Sequence, residues 1–220
     1  MKIIYLFTIT FLMGSCSSLN LNNNIAPGYV DAYQSISKAI FGYDSVSIPK
    51  EVINNIPYAS IKMKIGKGPE GLLILESLKD QKQVWISADD VYFVILNGRI
   101  IATKGLENNL TSLVIPKEVT KLNNINETII YKHYSSYDNP AIYNMEKVVE
   151  YKKLGKKEVS LLNGKMTLNL IEEVTLNKYL GWEVSNLYWM DDEGFIWKSE
   201  QNISPKLPTV YIEVTKKPSV

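Results

Sequence analysis

Two hydrophobic periods divide this chain. Tyr29, Tyr33, Ile36 and Ile40 recur at spacings of four, three and four, which places them on one face of a helix. Gly42 stops that pattern. A shorter helical segment is predicted within Ser47 to Ile56, with Pro49 in its first turn. From Tyr58 onward the period drops to two. Ile61, Met63 and Ile65 alternate with Lys62 and Lys64, the mark of a half-buried strand. Turns at Gly66–Gly71 and Lys79-Asp80 separate that strand from Leu72–Glu76 and Gln83–Ser87. Val91 to Leu96 is apolar throughout and predicts a strand covered on both faces. Asn97-Gly98 follows, a strong hairpin signal, because a type I′ turn needs positive φ at both central residues. Arg99 to Thr103 is its partner strand.

The second half repeats this grammar. Glu127–Tyr134 and Ala141–Tyr151 flank Asp138-Asn139-Pro140, and Lys152 to Lys157 reads as an exposed, lysine-rich hairpin around Gly155. A second Asn-Gly turn is expected at Asn163-Gly164, before the alternation of Met166, Leu168 and Leu170. Trp182–Trp189 and Phe195–Gln201 are joined by Asp191-Asp192-Glu193-Gly194, and Val210, Ile212 and Val214 form a last strand. Strands in meander order with short turns predict a mainly β chain. The expected form is a single antiparallel β-barrel or half-barrel-like curved sheet, with an N-terminal α-helix and few short helices. No composition break interrupts residues 28–220, so they read as one domain.

The first residues follow another logic. Lys2, the apolar run Ile3–Met13 and the small pair Gly14-Ser15 make residues 1–15 a signal peptide. The run is shorter than the ~17–25 residues a membrane-spanning helix needs. Leu12-Met13-Gly14-Ser15-Cys16 resembles a lipobox, which implies cleavage before Cys16 and acyl chains on its sulfur and amino terminus. Ser17 rather than Asp at the next position points to the outer membrane. Several acyl chains make a stable anchor where one is marginal. Ser17, Ser18 and the asparagines that follow make 16–27 a flexible tether. Cys16 is the sole cysteine, so the domain has no disulfide, and its covalent lipid is the only prosthetic group expected.

Composition narrows the chemistry. The chain is 45% hydrophobic with a formal net charge of +1. It carries no basic stripe for nucleic acid. His133 is the sole histidine and alternates with aromatics in a strand, a poor basis for catalysis. One histidine and a lipidated cysteine fall short of a usual zinc ligand set. A glycosidase needs two carboxylates facing across a sugar, ~5–10 Å apart. Asp89-Asp90 and Asp191-Asp192-Glu193 are adjacent residues, which strands point to opposite faces. Turn chemistry explains them better, and the spaced oxygens of a calcium loop are missing.

Arg99 is the sole arginine among many lysines. Its planar fork either pairs structurally, with Asp89 as the expected partner, or binds a carboxylate or phosphate of an anionic polymer near Thr103. Fourteen tyrosines and four tryptophans supply aromatic surface. Trp85, Trp189 and Trp197 could form sugar platforms, although aromatics also simply suit a pleated sheet.

Several separated motifs, in order, resemble the YjbF/GfcB family of lipoproteins. They are Pro57-Tyr58-Ala59-Ser60-Ile61, Trp85-Ile86-Ser87-Ala88-Asp89, Asn97-Gly98-Arg99-Ile100 with Thr103 and Gly105-Leu106, and Asn186-Leu187-Tyr188-Trp189. Gly194, Trp197-Lys198-Ser199, Gln201, Ile203 and Pro205 extend the likeness. These families belong to exopolysaccharide and group 4 capsule clusters. The resemblance implies a non-enzymatic, periplasm-facing outer-membrane lipoprotein that assists polysaccharide assembly or export by docking to export proteins. A glycan- or acyl-ligand-binding module stays open beside it, and a polysaccharide-modifying enzyme is a weaker third reading.

Overall fold

The structure is a computed structural model that describes residues 48–218. The signal peptide, Cys16, the tether and the Tyr29–Ile40 helix lie outside the described residues. A short helix α1 (Lys50–Asn54) forms within the predicted Ser47–Ile56 segment, after Pro49. Twelve antiparallel strands follow, in one sheet. They are β1 (Ser60–Ile65), β2 (Glu70–Lys79), β3 (Lys82–Ile86), β4 (Tyr92–Leu96), β5 (Arg99–Lys104) and β6 (Leu110–Val114). Then come β7 (Ile129–Asp138), β8 (Ala141–Leu161), β9 (Gly164–Asn177), β10 (Trp182–Met190), β11 (Ile196–Gln201) and β12 (Val210–Lys216).

Each strand pairs with its sequence neighbours, and β1 pairs with β12. That pairing joins the two ends of the domain and leaves the ladder's one break mid-chain, between β5 and β6. The result is a nearly closed barrel. Side chains stitch the break: Leu110 N–H donates to Thr103 Oγ1 at 3.0 Å, and Leu106 N–H donates to Asn109 Oδ1 at 2.9 Å. Closing the sheet down to one stitched seam leaves little edge as a template for aggregation.

The interior follows the period-two pattern. Ile61, Met63, Leu73, Trp85, Phe93, Ile95, Ile100, Ile212 and Val214 form one apolar cluster. The connection from β6 to β7 does not loop away. Two 3-10 turns, Lys117–Val119 and Leu122–Asn124, bring Val119, Leu122 and Ile125 against Val149, Tyr151, Ile171 and Tyr188. This segment plugs the barrel with side chains at most 2% exposed.

Local signals succeed and fail for definite reasons. Asn97 and Gly98 have φ of 47° and 78°, as the hairpin requires. Asp80 and Gln81 form another left-handed pair, so the β2–β3 turn falls one residue later than Lys79-Asp80. Leu162-Asn163, not Asn163-Gly164, forms the β8–β9 turn, because Leu161 already pairs with Gly164. Tyr92–Leu96 alternates between buried and half-buried positions rather than lying covered on both faces. The barrel fills only its inner side there.

The exposed hairpin expected at Lys152–Lys157 does not form. Those residues lie inside the 21-residue β8. The pairing shifts between Lys153 and Lys156, and Gly155 takes φ of 80°. Such a bulge bends a strand without ending it. The outer half of the hairpin thus forms an arm that packs Val159, Leu168 and Leu170 on Trp189. Its tip is latched to β12 by Leu162 N–H on Glu213 and Asn163 Nδ2 on the Thr215 carbonyl.

Candidate functional site

One end of the barrel is formed by the turns β2–β3, β4–β5 and β10–β11 and by the last residues of β12. A cavity of about 540 Å³ opens there. Its deep wall is Ile61, Trp85, Ile95, Ile212 and Val214, each less than 10% exposed. Its mouth is Gln81, Lys121, Asn123, Glu193 and Lys217. Two of the three predicted tryptophans meet at it. Trp85 comes from β3. Trp197 comes from β11, where a bulge opposite Trp189 and Met190 shifts the register. Phe195 packs edge-on against Trp197, centroids 5.0 Å apart.

Both indole N–H groups are already used. Trp85 Nε1–H donates to Gln83 Oε1 at 3.1 Å and Trp197 Nε1–H to Asp191 Oδ2 at 2.9 Å. Asp191 also accepts from the Glu193 and Phe195 N–H groups, so it builds the turn, as its residue type suggested. Trp189 is elsewhere. It lies on the outer face beneath the arm, with Lys198 Nζ 4.6 Å from its ring centre.

Arg99 occupies the barrel interior behind the mouth and is 1% exposed. Its partner is Glu173, not Asp89. Arg99 Nε donates to Glu173 Oε2 at 3.0 Å, and Asn186 Nδ2 donates to the other carboxylate oxygen at 2.9 Å. Asp89 sits in the β3–β4 turn, at the opposite end of β5 from Arg99, and accepts from the Ser87 hydroxyl. Thr103 lies near that far end as well and serves the barrel seam. Only Trp85 and Trp197 of the predicted binding set therefore share the cavity.

Arg99 has a second task. Its Nη1 donates to the carbonyls of Val119 and Thr120 at 2.8 and 3.1 Å. Asn97 Nδ2 donates to Thr120 O as well. These bonds hold the plug, and the plug carries Lys121 and Asn123 to the mouth. Arg99 Nη2 has no acceptor among the described residues. The faces of Tyr151 and Tyr188, 5.2 and 5.6 Å from the guanidinium carbon, partly replace one. Arg99 is thus a positioning residue, and a single buried fork ties three elements together.

The network continues inward. Tyr151 Oη and His133 Nε2 are 2.9 Å apart. Lys147 pairs across the ladder with His133 and is 6% exposed, with Trp182 beneath its ammonium. Burial pushes the His133 imidazole down to about 4; Glu173 opposes that, while Arg99 and Lys147 reinforce it. Burial likewise pushes Lys147 down to about 8, against the pull of Glu173. For Glu173, burial favours the neutral acid, but Arg99, His133 and the Asn186 bond outweigh it and hold the carboxyl below its usual range.

These shifts predict the pH profile of stability. The unfolded chain protonates His133 near 6.5 and the folded chain only near 4. Between those values the unfolded state binds the extra proton, so stability falls as pH drops through that window and levels off below it. The expected loss is ~3 kcal/mol. Loss of the Glu173 charge acts in the same direction. Urea titrations of the wild type and His133→Gln between pH 4 and pH 7 check this, with a flatter profile expected for the variant.

Among the described residues no group of three or more His, Cys, Asp or Glu could hold a metal, and no helix is long and apolar enough to cross a membrane. Glu173, Phe195, Lys121 and Lys217 were not singled out by sequence, and Asn186 entered only within the motif Asn186–Trp189.

The sequence model of the family described as group 4 capsule polysaccharide lipoprotein GfcB, YjbF matches residues 33–215. The uncharacterized lipoprotein YjbF of Escherichia coli K12 is 27% identical over 177 residues, 76% of this chain and 79% of that protein. The uncharacterized lipoprotein GfcB of the same organism is 25% identical over 81 residues, 37% of this chain and 36% of that protein. The crystal structure of the lipoprotein YmcC from E. coli K12 superposes with a TM-score of 0.69 at 18% identity, covering 87% of this chain and 97% of that one, and shares its fold. The match over most of the barrel and the plug settles the family: this chain is a member of the YjbF family of group 4 capsule polysaccharide lipoproteins.

Proposed function

We propose that this chain is a non-enzymatic accessory of capsule or exopolysaccharide assembly or export. Acyl chains on Cys16 hold it at the outer membrane, facing the periplasm, where it engages the export proteins. The observation that carries this reading is the family match across residues 33–215. The site chemistry supports it. His133 is buried against Tyr151, and the acidic turns are spent on their own structure: Asp89 on Ser87, Asp191 on three local donors, Asp192 on Lys156 and Asn169. No carboxylate lines the deep wall of the cavity. The mouth, which presents side chains from three connections and from the segment after β12, is the working end.

A strain lacking the gene and complemented in trans tests the role. Wild type restores surface polymer. Cys16→Ser, which cannot be lipidated, leaves it at the deletion level. Normal polymer in the deletion strain would end this proposal.

A further inference from the structure

The cavity at the barrel mouth has a ligand chemistry of its own. Its deep wall offers carbon: Ile61, Trp85, Ile95, Ile212 and Val214. The polar atoms beside that wall are engaged, and the amides of Gln81 and Asn123, unpaired among the described residues, lie at the mouth. Trp85 and Trp197 spend their N–H groups on Gln83 and Asp191, and Ser199 Oγ accepts from Gln201 Nε2 at 2.9 Å. A sugar buried here would leave hydroxyls without partners, and each unmade bond is costly. An aliphatic chain meets no such penalty. At the rim the polarity reverses. Lys121 has no ion pair among the described residues, and Lys217 stands over Phe195 at 4.4 Å while facing Glu193 at 3.8 Å. Two cations and one carboxylate give the mouth a positive balance. The volume, about 540 Å³, lies within the range of small-ligand sites.

We infer that this cavity binds a single acyl chain, its tail against Trp85 and Ile212 and its anionic carboxylate or phosphate head between Lys121 and Lys217. The inference is independent of the role in export. Two sources could fill the tail site: a free membrane-derived lipid, which also brings the anionic head, and the acyl chains of the protein's own anchor, whose ester and amide linkages are uncharged and would leave the two lysines free.

The test uses the chain from residue 16 with Cys16→Ser, in detergent-free buffer, and fatty acids of ten, twelve and fourteen carbons displacing a fluorescent fatty acid. One saturable site is expected, with affinity rising about tenfold for each added pair of methylenes until the cavity is full. Lys121→Glu combined with Lys217→Glu, both on the exposed rim, should weaken the acids about tenfold and leave alkyl maltosides of equal length unchanged. Ile212→Trp should abolish uptake by filling the cavity. If that variant fails to fold, the chain-length series and the rim variant still decide. The lipidated protein in nanodiscs separates the sources: uptake of the probe assigns the site to a free lipid, while refusal assigns the tail site to the anchor and overturns the head contact at Lys121 and Lys217. Absence of saturable uptake by the Cys16→Ser chain, affinity indifferent to chain length, or displacement by polymer fragments but not by fatty acids would overturn the inference. Each of those results leaves the polymer-restoration experiment untouched, so the two proposals fail separately.

Discussion

Replacing Arg99 with Met should destabilise the folded chain by ~3–5 kcal/mol, the cost of leaving a buried charge without its partner. The orphan is Glu173, 4% exposed, whose second oxygen is already held by Asn186. The carbonyls of Val119 and Thr120 lose their donor in the same step. Arg99→Lys retains the charge, but one ammonium cannot reach Glu173 and both carbonyls as the fork does. A loss of ~1–3 kcal/mol is expected from it, as for buried polar groups left unsatisfied. The double replacement Arg99→Met with Glu173→Leu separates charge from plug. It removes the buried pair together, which is often close to neutral, and should recover more than half of the loss. The residue of ~1–2 kcal/mol belongs to the carbonyls. Urea unfolding of the wild type and these three variants measures all of this. If Arg99→Met unfolds at the wild-type midpoint, the clamp is not what holds the plug.

Gly98→Ala should cost ~2–4 kcal/mol, the sum of a left-handed backbone and overpacking. Gly98 has φ of 78°, where a side chain is strained. The added carbon would also meet Ile196, with Ile196 Cβ only 2.7 Å away and Cδ1 nearer still. Ile196 is part of the cluster around the plug, and its Cβ is fixed by the backbone, so a rotamer change cannot relieve the contact. The Gly98 carbonyl accepts from Gln201 Nε2, and Gln201 Oε1 accepts from Ile100 N–H, so displacement of the turn propagates to β11. Gly155→Ala is the control. It has nearly the same φ, 80°, but nothing lies within 4 Å of the added carbon. Its thermal midpoint should therefore fall much less, and equal shifts for the two would show that packing against Ile196 contributes nothing.

Much of the site was half-visible in the chain. A lone arginine among lysines singled out Arg99, and the buried fork is the kind of place where lysine cannot substitute. Its partner was not visible. In Glu172-Glu173, one acid must face inward if the strand is half-buried, but nothing local says which, or what waits opposite. Glu173 meets Arg99 across 74 positions of sequence, by barrel closure alone. Asp89 was the nearer acid and the wrong one, because β5 runs the length of the barrel between it and Arg99. Trp189 and Trp197 read alike, as aromatics beside one turn. A bulge of one residue in their hairpin turned Trp197 toward the mouth while it still touches the arm's cluster, and left Trp189 wholly beneath the arm.

Alternation and turn chemistry are local, so the chain alone determined the β class, most of the strands and the Asn97-Gly98 hairpin, but neither β6 nor the continuity of β8. A lipobox is read as sequence, and so the expectation of an anchor also needed no fold. Only the tertiary structure decided where the sheet closes, that Val119, Leu122 and Ile125 turn inward as a plug, and which side chains share the mouth. Those outcomes depend on contacts between distant strands. A side chain's partner there is set by barrel curvature and register, which no short stretch of sequence encodes.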